Sequence, residues 1–221
     1  MARVLVLRPE PAASATVREA RRLGLDAISV PLFEIEAVDW AAPDAGEFDG
    51  LLLTSANAIR CGGEQLGRLR DLKVHAVGAA TAEAARNAGF TVASTGTSGV
   101  DQLLAGIDPD LRLLHLCGAH LRMPLDGSRA ISPLVVYRSN EIGAAQLSAS
   151  AASVALIHSP RAGRRFAELA PDRGSLAVVA ISQAAAESVG TGWKSVAVAD
   201  QPSDEALLAL AARLCNKPDP K

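Results

Sequence analysis

The chain has 221 residues, 49% of them apolar and 21% charged, and 22 basic against 24 acidic side chains leave a net charge of −2. That composition excludes a disordered chain and gives nucleic acid no basic excess, and no apolar stretch approaches the ~20 residues that span a bilayer. Aromatics make up only 3%, with four Phe, two Trp and Tyr137 as the one phenol, so an aliphatic core is expected.

Val4 to Leu7 is a continuous apolar run, as in a strand buried on both faces, and Pro9 and Pro11 close it. Ala12 to Leu23 reads as an amphipathic helix that stops at Gly24. Strands follow at Ala27 to Val30 and Leu51 to Thr54, with Ser55 as an N-cap for a helix from Ala56 that breaks at Gly62-Gly63. Val74 to Val77 is a strand, and Gly78 opens an Ala-rich helix that ends before Gly89. Val92 lies in a short strand, and Ser98 with Asp101 resembles a capping box for a helix around Val100 to Leu104. Further strands are expected at Leu113 to Leu116, Leu134 to Tyr137, Val154 to Ile157, Leu176 to Ile181 and Val196 to Val198. Ser159-Pro160, Ser182 and Ser203 read as helix starts. Such alternation implies an α/β fold with parallel sheets flanked by helices.

The chain also repeats itself. Leu51-Leu-Leu-Thr-Ser55 matches Ala155-Leu-Ile-His-Ser159 at an offset of 104. Ala27-Ile28-Ser29 recurs as Ala130-Ile131-Ser132, Gly89 matches Gly192, and Asp101 and Leu104 match Asp204 and Leu207, all at 103. Two similar domains are therefore expected, each with a sheet of about five strands. Segments 32–37 and 138–144 flank the middle block, so a middle domain inserted into an outer one is one way to divide the chain.

No phosphate loop, dinucleotide fingerprint, nucleophile elbow or zinc-protease motif occurs. His75, His115, His120 and His158 are scattered, and the first, second and fourth are expected as core or edge residues of strands. Cys61, Cys117 and Cys215 have neither zinc nor redox spacing, which fits buried thiols in a reducing cytoplasm. The opening segment Met1 to Arg8 is too soon charged to read as a signal peptide. What remains is polar residues at strand-to-helix turns: Arg8, Ser55, Asn57, Gly78, Thr81, Gly118, Ser159 and Ser182. In parallel sheets these turns line the ligand crevice, and helix N-termini there favour anions. Capping alone also explains Ser159, Ser182 and Ser203, and the last is assigned to structure. Arg138 and Arg161 either add charge nearby or are solvated surface residues.

Leu7-Arg8-Pro9, Leu53-Thr54-Ser55-Ala56-Asn57-Ala58 and Ala76-Val77-Gly78-Ala79-Ala80-Thr81-Ala82 with Gly89 form one series. Val136-Tyr137-Arg138, Ile157-His158-Ser159-Pro160 and Ala180-Ile181-Ser182 continue it. In order and spacing, over about 210 residues, the series resembles the uroporphyrinogen-III synthase family. The resemblance implies two α/β domains joined by a two-stranded linker, with the active cleft between them. The outer domain would comprise 1–34 and 143–221, the inserted one 37–138, and the linkers about 35–36 and 139–142. It implies a cyclising lyase that takes hydroxymethylbilane, a linear tetrapyrrole with many carboxylates, to uroporphyrinogen III in haem biosynthesis, inverting the last ring. Tyr137 would be the general acid, and Thr81 would bind a carboxylate or orient the chain. Arg8, Ser55, Asn57, Gly78, Gly118, Arg138, Ser159 and Ser182 would bind substrate. No metal or organic cofactor is implied, nor any nucleic acid or membrane partner. A cytoplasmic monomer is expected, with transient contact to hydroxymethylbilane synthase open. The chain departs from the family pattern at Ser182-Gln183-Ala184-Ala185, where many members carry threonines, and in the short stretch from Gly118 to Tyr137, which contains Arg122, Pro124, Gly127 and Pro133. The alternative is a non-catalytic anion- or tetrapyrrole-binding protein of the same fold.

Overall fold

The computed structural model describes residues 3–97, 99–121, 127–143 and 152–215. In chain order the elements are β1 (Arg3–Val6), α1 (Ala12–Arg22), β2 (Asp26–Ser29), β3 (Phe33–Ala37), β4 (Gly50–Leu53), α2 (Asn57–Cys61), β5 (Lys73–Val77), α3 (Ala79–Asn87), β6 (Val92–Gly96) and α4 (Val100–Ala105). There follow β7 (Leu113–Gly118), β8 (Ile131–Glu141), β9 (Ala152–Ile157), α5 (Pro160–Leu169), β10 (Ala177–Ala180), α6 (Gln183–Ser188), β11 (Ser195–Val198) and α7 (Asp204–Cys215). The chain divides into two compact units, residues 1–34 with 141–221 and residues 35–140.

The first unit holds a five-stranded sheet in the order β11-β10-β9-β1-β2, with parallel pairs throughout. Alternate residues feed its two faces. Leu5, Ala155, Ile157 and Val178 pack against Ala162 and Phe166 of α5 and Ala185 of α6. Val4, Val6, Leu156 and Val179 pack against Val17 of α1 and Leu207 and Leu208 of α7. This explains the unbroken apolar runs, because both faces of each strand are covered. The core is mainly aliphatic, and Phe166 stacks on Trp193 at 5.1 Å.

The second unit's sheet runs β3-β8-β7-β4-β5-β6, with parallel pairing from β8 through β6. Leu51, Leu53, Val74, Ala76, Leu114 and Leu116 face α2 and α3. Leu52 and Leu113 face Leu103 and Leu104 of α4. Apart from β3, this is the order of the first sheet, with β8, β7, β4, β5 and β6 standing where β2, β1, β9, β10 and β11 stand. The registers equate Leu51 with Ala155, Val74 with Val178 and Val92 with Val196, each 104 apart. They also equate Ala27 with Ile131, so the expected match of Ala27 to Ala130 is one residue out of register. A slip of one residue turns a side chain to the opposite face, so the sheet decides where letter matching cannot.

Other local expectations shift slightly. Strand β8 is longer than the Leu134–Tyr137 core expected of it. Ser55 does not sit at the N-cap of α2, since Ala56 holds that place, and its Oγ instead accepts the Asn57 N–H at 3.2 Å. Helix α4 is entered from Gly99 at φ +111°, whereas Ser98, Arg122 and Pro124 lie outside the described residues.

Candidate functional site

Each sheet has a switch point, where successive strands leave in opposite directions and the loops beyond the carboxyl ends part to form a crevice. In the first unit it lies between β1 and β9, and in the second between β4 and β7. Most of the expected site residues lie at these two places and at the neighbouring turns, whereas Arg138 lies within β8 and pairs with Glu36 of β3.

The second unit's switch point holds the phenol. Tyr137 is half-buried on β8, beside Gly118 at the end of β7. A Cβ on Gly118 would stand 2.6 Å from Tyr137 Cε2, so only glycine lets the ring lie against this backbone. Burial holds the phenol above its ordinary pKa, a hydrogen bond with Ser55 draws it back, and the nearby Cys117 and Cys61 thiols add a smaller upward push. Both thiols are themselves pushed up by burial and stay neutral at pH 7. Asn57 opens α2, and its Oδ1 accepts from Arg60 at 3.2 Å. Behind this turn, fully buried His115 places Nε2 3.1 Å from Thr54 Oγ1, and desolvation lowers its pKa to about 4.

The next turn, between β5 and α3, is entered through Gly78 at φ +86°. Nothing lies within 4 Å of the place its Cβ would take, so the backbone is open to a ligand. Thr81 is turned inward and only 5% exposed. Arg138 pairs through Nε and Nη2 with both carboxylate oxygens of Glu36, each at 2.9 Å, and Asn140 donates to the same carboxylate at 2.6 Å.

The first unit's switch point is filled from within. Arg8 Nη1 donates to both oxygens of Asp204 at 2.8 and 2.7 Å, and the Thr16 hydroxyl donates to Asp204 Oδ2 at 2.7 Å. His158, just past β9 rather than in it, brings Nε2 to 3.4 Å from Asp204 Oδ1. These partners outweigh burial and hold the Asp204 carboxyl well below its usual range. Ser159 accepts the Ala162 N–H at 3.2 Å and Ser182 the Ala185 N–H at 3.3 Å, so both are N-caps. Ser203 accepts from Ala206 N–H in the same way. Arg161 lies over the Phe33 ring at 4.2 Å.

Gly118 and Tyr137 thus come together in one unit, with Ser55 and Asn57 past the end of β4, while in the other Arg8 meets Asp204 and Ser159 caps α5. Asp204, Thr16 and Glu36 escape sequence reasoning, because Asp204 is 196 residues from Arg8 and Glu36 is 102 from Arg138. The match of Asp204 to Asp101 was the only local signal, and it says nothing of Arg8. Among the described residues no cluster of His, Cys, Asp and Glu suits a metal, and no helix is long and apolar enough to cross a membrane.

A family model described as Uroporphyrinogen-III synthase HemD matches residues 14–209. The uroporphyrinogen-III synthase of Chlorobaculum parvum is 31% identical over 119 residues, which are 49% of this chain and 48% of that protein, so the match spans about half of each. The crystal structure of uroporphyrinogen-III synthetase from Helicobacter pylori superposes with a TM-score of 0.69 at 19% identity, covering 96% of this chain and 99% of that one. A mutant uroporphyrinogen III synthase from the extremely thermophilic bacterium Thermus thermophilus gives 0.59 at 19% identity, covering 98% and 100%. These superpositions show a shared two-unit α/β fold.

Proposed function

The chain belongs to the uroporphyrinogen-III synthase family, and from that premise we propose that it closes hydroxymethylbilane to uroporphyrinogen III, acting as a cyclising lyase in haem biosynthesis. The observation that carries the reading is the Tyr137 phenol, half-buried against Gly118 at the carboxyl end of the second unit's sheet. A phenol above its ordinary pKa is fully protonated at neutral pH and has a proton to give. Tyr137 donates it to the terminal hydroxyl of the bilane. The C–O bond breaks, water leaves with the bonding pair, and the pyrrole nitrogen shares the positive charge left on the methylene carbon. The substituted carbon of the last ring attacks there, and rearrangement through a spiro intermediate inverts that ring. A proton lost as the ring regains aromaticity returns to the phenolate, so the sum is bilane to macrocycle plus water.

Closure without inversion proceeds spontaneously, so the protein's larger task is to hold the chain in the inverting conformation. Polar groups at the turns suit the substrate's carboxylates. Gly78 exposes the amino end of α3, Gly118 lies against the phenol, Asn57 opens α2, and Thr81 is buried in the turn that Gly78 opens. Ser159 and Ser182 cap helices with a lone pair and retain a hydrogen to donate. Arg8 binds Asp204 through Nη1, and its Nε and Nη2 edge is assigned to a carboxylate, while Arg138 reaches substrate by exchanging Glu36 for it. The reaction is assigned to a cytoplasmic monomer that receives its bilane from hydroxymethylbilane synthase, in keeping with three free cysteines.

Incubation with fresh hydroxymethylbilane, followed by oxidation and separation of the isomers, tests the reading. The type III isomer is expected, and Tyr137→Phe should slow its formation by about a hundredfold. Type I product alone, at the spontaneous rate, would leave a binding protein in place of an enzyme.

A further inference from the structure

Strand β8 breaks step with β7 at its end. The pairing runs one for one from Leu113 with Ile131 to Cys117 with Val135, and then Gly118 pairs with Tyr137, so that Val136 is passed over. The extra residue is a β-bulge, which re-aims the side chains beyond it. In an unbroken strand Tyr137 would follow Val135 to the face opposite Leu134 and Val136. Instead Tyr137 packs in one cluster with Leu134 and Val136, beside Leu114 and Leu116 of β7 and with Ala58 of α2 and Ala82 of α3. Past the bulge the Ala119 N–H donates to the Tyr137 carbonyl at 3.0 Å, so the backbone holds the new register.

This turn needs room on β7. A Cβ on Gly118 would stand 2.6 Å from Tyr137 Cε2, 2.7 Å from Cζ and 3.0 Å from Oη. The hydroxyl-bearing edge of the ring therefore lies on bare backbone at the last residue of β7. The register that equates Ala27 with Ile131 also sets Phe33 in the place of Tyr137, and Phe33 shares one cluster with Val30 and Leu32. The first unit thus buries an aromatic ring at this place without a hydroxyl, so the fold asks for the ring and not for its oxygen. Resting on the reading of Tyr137 as the acid, we propose that the bulge at Val136 and the bare Cα of Gly118 together aim the phenol: the bulge brings Tyr137 to the face of α2 and α3, and Gly118 admits its hydroxyl-bearing edge at the carboxyl end of the sheet. Gly118 is then a positioning residue that acts through Tyr137 and not by binding a carboxylate of the substrate. A methyl group there displaces the phenol oxygen by about 1 Å, enough to spoil its line to the departing hydroxyl.

The test compares G118A, Y137F and both combined in type III formation from hydroxymethylbilane. G67A is the control, since nothing lies within 4 Å of the place a Cβ on Gly67 would take. G118A is expected to lower kcat about tenfold with KM within about twofold, because an interaction made in the transition state is lost, and G67A to leave both unchanged. In the Y137F background G118A should add nothing, the mark of two residues acting as a unit. Full activity in G118A, a loss confined to KM, or one that persists in full without the phenol overturns the proposal. The sole tyrosine offers a readout independent of turnover. In protein labelled at tyrosine Cζ with carbon-13, the phenol resonance should move in G118A and hold in G67A. An unmoved resonance in G118A overturns the positioning even if the rate falls. Circular dichroism checks the fold, and if G118A unfolds, Y137A is added to it. Recovery of the fold then shows that the ring and the methyl group compete for one place, as proposed, and failure to recover overturns it. Full type III activity in Y137F is a different failure, which removes the acid reading and leaves the placement of the ring standing.

Discussion

His115 illustrates what one buried polar residue does to the whole pH profile. It has no exposed surface, and its Nδ1 finds no hydrogen-bond partner among the described residues. Desolvation lowers its pKa from 6.5 to about 4, so the folded protein keeps it neutral. The unfolded chain takes up the proton near its ordinary pKa, and stability rises with pH wherever the unfolded state binds more protons. The His115 contribution is therefore complete above about pH 6.5 and is lost as pH falls toward about 4, by at most about 3 kcal/mol. His75, also lowered by burial, acts in the same direction. Asp49, held down to about 2 by Arg112, and Asp204, held lower by its partners, are carboxylates with the later window. Their contributions are present above about pH 4 and fade as pH falls below it. Urea unfolding at several pH values between 7 and 4.5 should show falling stability, and His115→Leu should flatten that slope. An equal slope in the variant would remove His115 as the cause.

At the scale of elements, the helix starts carry the informative contrast. Ser159 and Ser182 each cap a helix through an N–H three residues on, at 3.2 and 3.3 Å. Replacing either by Ala should cost about 1 kcal/mol of stability, as lost caps do. If each also donates to a substrate carboxylate, KM should rise severalfold while kcat holds. Denaturant melts and steady-state rates on the same variants separate the roles, and a stability loss without a KM change would leave both as caps alone. Helix α7 is held differently. Asp204, its first residue, ties it to the turn after β1 through Arg8 and to α1 through Thr16. Asp204→Ala leaves Arg8 and Thr16 without that carboxylate and should destabilise by about 1–3 kcal/mol, toward the lower end because the pair is partly open to solvent.

At the scale of the molecule, two units with separate cores need not unfold together. Scanning calorimetry should resolve two transitions, with Asp204→Ala shifting one and His115→Leu the other. A single transition that both variants shift would show the units to be one cooperative body. The duplication has a further consequence. Two sheets with the same strand order were given different switch points: in one a carboxylate of the chain fills the crevice, and in the other a phenol stands there.

Much of this was legible in the residues alone. Leu51 to Leu53 and Val154 to Ile157 read as buried strands because burial on both faces needs no alternation, and all seven are buried. Ser159 and Ser182 read as caps because each partner is three residues away. The repeat was visible because corresponding strands keep an offset near 104. Other features depend on which strands become neighbours. Gly118 and Tyr137 meet only because β7 and β8 lie side by side. The pairing of Arg8 with Asp204, of Arg138 with Glu36, and the one-residue correction at Ala27 have the same origin. Contacts within a turn or a strand follow from backbone spacing, which the sequence by itself determines. Contacts across a sheet follow from strand order and register, which minimise exposed apolar surface over the whole unit, and so only the tertiary structure decided them.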